Sequence, residues 1–162
     1  MKKSRVLAVV VCIMAVMNFA SADTIRGIEM NFVTIGNAGN VADTVVMGDG
    51  TTGYGAVGYN YRIGKYEVTN AQWDAFTAAA GAPTGNGYGY SYSASFTDAQ
   101  QPTNHVSWYE TLQFCNYLTS GDKSKGAYLF SGNNANPGDF LGINRTAAQT
   151  TYGTVYVLPT ED

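Results

Sequence analysis

Read along the chain, the hydrophobic positions change period several times, and each change marks an element. Val6 to Ala20 is an almost unbroken apolar run. Ile28 to Ile35 mixes apolar and polar residues of β-favouring type and ends at Gly36-Asn37, which predicts a strand and a turn. Asn37 to Gly58 is rich in Gly, Asp and Thr and reads as an irregular connection. Tyr59 to Val68 alternates in its first half, with Tyr59, Tyr61 and Ile63 on one face, and a bend is expected at Gly64.

The period then switches to that of a helix. Thr69-Asn70-Ala71-Gln72 forms a capping box, and Val68 and Trp73 stand at hydrophobic-staple positions. Trp73, Phe76, Thr77 and Ala80 share one face, and Gly81 and Pro83 end the helix. Gly85 to Thr97 alternates small residues with tyrosines, and its periodicity fits either a loop or an exposed strand. A second capping box, Ser107-Trp108-Tyr109-Glu110, opens a helix expected to bury Trp108, Leu112, Cys115 and Leu118 or their immediate neighbours and to stop near Gly121. A loop from Gly132 to Gly138 and a closing strand from Thr154 to Leu158 complete the pattern. Thr160 would cap a further helix, with Glu161 and Asp162 at its positive end, so the chain reads as cut at a helix start. This order of elements, without any fixed repeat, predicts a mixed α+β domain with much irregular backbone.

Composition changes the reading of the first segment. Lys2, Lys3 and Arg5 precede the apolar run, and Ala20-Ser21-Ala22 supplies the small residues of a cleavage site. Residues 1–22 are therefore expected to be a signal peptide, cut after Ala22, for a secreted or periplasmic protein. The run is short for a membrane span. Cys12 follows Val11, where a lipoprotein signal needs a small residue, which argues against lipidation. Residues 23–162 would then form one domain of about 140 residues, with its formal charge moved from −3 to about −6. Without a Lys/Arg cluster, nucleic acid and anionic membrane are poor partners. Only Cys115 remains after cleavage, so packing and not a disulfide must hold the domain.

Candidate chemistry is sparse. Gly53-Tyr54-Gly55-Ala56-Val57-Gly58 matches GxGxxG, but it runs into a β-type stretch instead of opening a helix, so a turn is the better reading. His105 is the single histidine and sits just before a helix cap, where a hydrogen-bonding loop role is expected. Cys115 lies among Leu112 and Leu118 and reads as a buried, inert thiol. Asn133, Asn134, Asn136 and Asp139 offer oxygens, but one carboxylate is few for calcium. Tyr88, Tyr90 and Tyr92 could form a carbohydrate- or peptide-binding surface or merely line a loop. No residue of the chain is assigned a catalytic, cofactor-binding or metal-binding role.

Three segments resemble the sulfatase-modifying-factor family, also called formylglycine-generating-enzyme-like proteins. Tyr61 to Trp73 (YRIGKYEVTNAQW) is similar to the family's strand leading into its "EVTN" helix. Gln101 to Glu110 (QPTNHVSWYE) is similar to its "VSW" segment, and Leu158-Pro159-Thr160-Glu161-Asp162 begins its "LPTE" signature. The resemblance implies a compact, loop-rich α+β fold related to C-type lectin domains, of which this chain would be the N-terminal portion. It also implies an oxidase in which a cysteine pair binds copper(I) and oxygen converts a sulfatase cysteine to formylglycine. In that family the cysteine pair and most calcium ligands follow the LPTE signature, so copper and calcium belong to the complete domain and not to residues here. The implied partner is a sulfatase or another exported protein. The alternatives are a non-catalytic lectin-like module that binds glycans or peptides, and a structural envelope protein.

Overall fold

A computed structural model describes residues 21–85 and 95–159. Tyr88, Tyr90, Tyr92, most of the leader and the Thr160 cap lie outside the described residues. Eight elements follow one another: β1 (Ser21–Ile25), β2 (Ile28–Ile35), β3 (Tyr61–Gly64), α1 (Asn70–Ala80), α2 (Trp108–Ser120), β4 (Tyr128–Phe130), β5 (Phe140–Ile143) and α3 (Arg145–Tyr152). They form an antiparallel sheet in the order β1-β2-β3, an antiparallel β4-β5 pair, and helices outside both.

The β1–β2 hairpin turns through Arg26 and Gly27, both at positive φ (51° and 83°). Two successive left-handed residues match the right-handed twist of the flanking strands. Along β2, Ile28, Met30 and Phe32 point inward, as the period of two requires. The connection from residue 37 to 58 is irregular, as its composition predicts, and is tied across by Gly39 N–H to Val57 O (2.7 Å) and Asp43 N–H to Tyr54 O (2.8 Å). β3 pairs with β2 only as far as Gly64, so the expected bend is the end of the strand.

Both capping boxes form. Thr69 Oγ1 accepts from Gln72 N–H (3.3 Å) while Gln72 Oε1 accepts from Thr69 N–H (2.8 Å). Ser107 and Glu110 repeat the exchange at 3.3 Å and 2.6 Å. Gly81 and Gly121 end the two helices, Gly121 in the left-handed conformation (φ 85°).

Two apolar clusters flank α2. The larger joins Ile28, Met30 and Phe32 to Trp73 and Phe76 of α1 and to Phe114, Tyr117 and Leu118 of α2. Its rings interlock, with Trp73 stacked on Phe114 (centroids 5.5 Å apart) and Phe76 edge-on to both (5.3 and 5.2 Å). The smaller joins Leu112 and Cys115 to Tyr128 and Phe130, with Phe140, Val157 and Leu158 packed against them.

Two expectations fail. Trp108 is 49% exposed; it meets Tyr109 and Phe140 edge-on at 5.2 Å each, at the rim of the smaller cluster. A two-stranded sheet is too small to cover that end of α2. Thr154 to Leu158 is not a strand and pairs with none of the strands among the described residues. It is held instead by side chains, Tyr156 N–H donating to Thr119 Oγ1 (3.0 Å) and Leu158 N–H to Tyr128 Oη (2.8 Å). The hydrophobic pattern does not announce β4, β5 or α3. In α3 only Ala148 is buried, so the helix carries no apolar stripe. Among the described residues no helix is long and apolar enough to cross a membrane.

Candidate functional site

An open groove of about 760 Å³ lies between β2, the segment after β3 and the first turns of α1. It exists because β3 stops at Gly64 while β2 runs on toward Ile28. Ile28, Met30, Ala71, Ala75 and Pro102 contribute apolar surface, and Glu29, Lys65, Glu67 and Gln72 contribute polar groups. Gln72 works twice. Its oxygen completes the α1 cap and its Nε2 donates to Glu29 O (2.6 Å), which locks the helix start onto the strand. Lys65 N–H donates to Asn31 O (2.8 Å), and its ammonium lies 5.2 Å from the Tyr66 ring centre. The groove holds no thiol, histidine or hydroxyl–base pair among its lining. Apolar walls with a few polar groups are the usual lining of a ligand cleft.

The structure disperses the other residues considered from sequence. The glycines from 53 to 58 lie in the irregular connection with no helix behind them, and Gly53 and Gly55 take positive φ. The nucleotide reading has no support there. His105 is exposed in a loop at φ 55°. Cys115 is buried in the smaller cluster, and burial pushes its thiol up to about 12. The Asn loop spends its side-chain oxygens on backbone N–H groups. Asn133 Oδ1 accepts from Ala135 and Asn136 N–H, Asn134 Oδ1 from Lys123 N–H (2.9 Å), and Asn136 Oδ1 from Gly138 N–H. Among the described residues no group of three or more His, Cys, Asp or Glu side chains could hold a metal ion.

Copper(I) therefore does not fit the residues present. Its family ligands are a pair of thiolates, and Cys115 is single, buried and held as a thiol. Calcium fits no better, since the amide oxygens near Asp139 already accept backbone bonds.

Sequence reading missed how two helix ends are held. Neither α1 nor α2 carries a basic residue in its last turn. Lys123 Nζ instead reaches across the fold to Gly81 O (3.0 Å) and Ala82 O (2.8 Å). Arg26 donates to Leu118 O (3.3 Å) and Thr119 O (3.0 Å). The bare C-terminal turns were the available signal, because a cation is favoured there.

The sheet, the strand pair and the capped helices define a small mixed α/β domain. Residues 34–162 match the sulfatase-modifying factor enzyme 1-like domain family. The chain belongs to that family, as its EVTN and VSW segments suggest. No curated protein and no solved structure matches it.

Proposed function

We propose that this chain is the scaffold portion of an exported sulfatase-modifying-factor-like protein, with residues 1–22 as its leader. The family match over residues 34–162 carries the reading. In complete form such a protein would use copper to convert the cysteine of a sulfatase to formylglycine. Residues 23–162 supply a framework for that chemistry in two capped helices, the interlocked aromatic core and the terminal segment pinned at Tyr156 and Leu158. Their one cysteine cannot supply the copper pair.

The test is a cysteine-containing sulfatase peptide incubated with the purified chain, copper(I), oxygen and a thiol reductant, with the product read by mass spectrometry. The chain by itself should give no formylglycine, and its formation would overturn the scaffold reading. Sequence continuing past Asp162 with two closely spaced cysteines would support the oxidase.

A second reading is a non-catalytic module, of lectin-like shape, that holds glycans or peptides. The groove favours it, being of ligand size and free of a nucleophile–base pair. Glycan and peptide arrays on the wild type and on Ala75→Arg, which fills the groove, separate the two readings. Binding lost in the variant supports a module, and no binding by either protein removes it.

A further inference from the structure

The leader's cleavage site and the first strand overlap. Ser21 and Ala22, the last two residues of the expected leader, already pair with Phe32 and Asn31, and Asp23 pairs with Met30. The bond to be cut, Ala22–Asp23, thus lies inside an antiparallel ladder. Immediately beyond it, Asp23 Oδ2 is 2.5 Å from Arg62 Nη1 on β3, and the Arg62 guanidinium lies over the Phe32 ring at 4.9 Å. Further along, Arg26 is fastened to the end of α2. The segment is tied to the sheet on both sides of Asp23.

A peptidase takes its substrate as an extended segment enclosed in its own cleft, so cleavage concentrates where the chain is exposed and unpaired. Here β2 must release Ser21 to Asp23 before the enzyme can seat them. Cleavage then follows the population of that locally opened state.

We propose that folding closes the processing site: Ala22–Asp23 is cut only while β1 is undocked from β2, and a chain that folds first keeps its leader. The inference rests on the leader reading under Proposed function. It adds an order of events, with processing before sheet formation. It also implies that the mature β1 begins at Asp23, with the Arg62 bridge beside its new terminus.

The experiment uses the full leader-bearing chain with detergent-solubilised signal peptidase, folding being checked by intrinsic tryptophan fluorescence and products by intact mass. Chain presented unfolded should be cut after Ala22, and folded chain at least about tenfold more slowly. Arg62→Ala, which removes the bridge, should speed cutting of the folded chain. A short Gly/Ser linker inserted between Ala22 and Asp23, which moves the scissile bond off the ladder, should restore it nearly to the unfolded rate. Equal rates for folded and unfolded wild type would overturn the masking while leaving the leader intact. Failure of the unfolded chain to be cut after Ala22 would overturn the leader reading and the masking with it.

Discussion

Trp73 and Trp108 each follow a capping residue, and their fates differ because of one helical offset. Trp73 stands at the fourth position of α1, where it turns back onto Val68 and the core and is 1% exposed. Trp108 stands at the first position of α2, where it meets Tyr109 and Phe140 at the rim of the smaller cluster and stays 49% exposed. Trp73→Ala should cost about 3–5 kcal/mol, whereas Trp108→Ala should cost about 1–2 kcal/mol for its two edge-on ring contacts. Urea unfolding of both variants checks the difference. Cys115 gives a pH prediction. Burial raises its thiol from 9.0 to about 12, so the folded state holds a proton that the unfolded chain loses. That stability is fully present below pH 9.0 and is lost as pH rises toward 12. Cys115→Ala should flatten the alkaline fall in melting temperature, and native Cys115 should resist thiol reagents until the protein unfolds.

At the scale of elements, α2 shows how a sequence pattern can mislead. Glu110, Gln113, Asn116 and Thr119 recur every three residues and look like a solvent face, yet all four are buried. Each holds a loop or a cap. Gln113 accepts from Thr84 N–H (3.2 Å) and donates to Thr84 O (2.7 Å); Asn116 donates to Lys123 O and Tyr128 O and accepts from Tyr128 N–H. Buried polar groups so paired are costly to orphan. The cap residues are simpler. Thr69→Ala and Ser107→Ala should each lower stability by about 1 kcal/mol, measured by chemical denaturation, with unchanged values disproving the assigned helix starts. At the opposite ends, Lys123→Met and Arg26→Ala should each cost about 1–2 kcal/mol, because each leaves helix-terminal carbonyls without a cation. The same arrangement explains Gly121. A side chain there would bring Cβ within 2.9 Å of Arg26 Nη1 at a backbone φ of 85°, so Gly121→Ala should destabilise on both counts.

For the whole molecule, α2 is the shared wall of two aromatic cores, with the three-stranded sheet and α1 on one side, β4 and β5 on the other, and the terminal segment touching both through Tyr156 and Leu158. The groove borders the larger core, which lends it Ile28 and Met30. It is the space left where a short β3 meets a longer β2. Local signals were legible in sequence because their physics is local. The β2 limits follow from alternation and a turn pair, and both helix starts from reciprocal caps three residues apart. The inert character of Cys115 followed from its apolar helix neighbours. What stayed hidden depends on contacts far apart in the chain. β4 and β5 are too short for a period to show, α3 buries a single alanine, and residues 154–158 are held by side chains of α2 and β4 instead of a ladder. The groove was equally invisible, since Glu29, Lys65 and Gln72 meet only when strand and helix pack. By itself the sequence determined the family, the two helices and the strand that feeds the core, because capping and periodicity act within a few residues. Tertiary structure alone decided which polar residues are buried, where remote cations close the helices, and that the expected cleavage site lies within a paired strand, because each depends on which distant backbone a side chain or strand reaches.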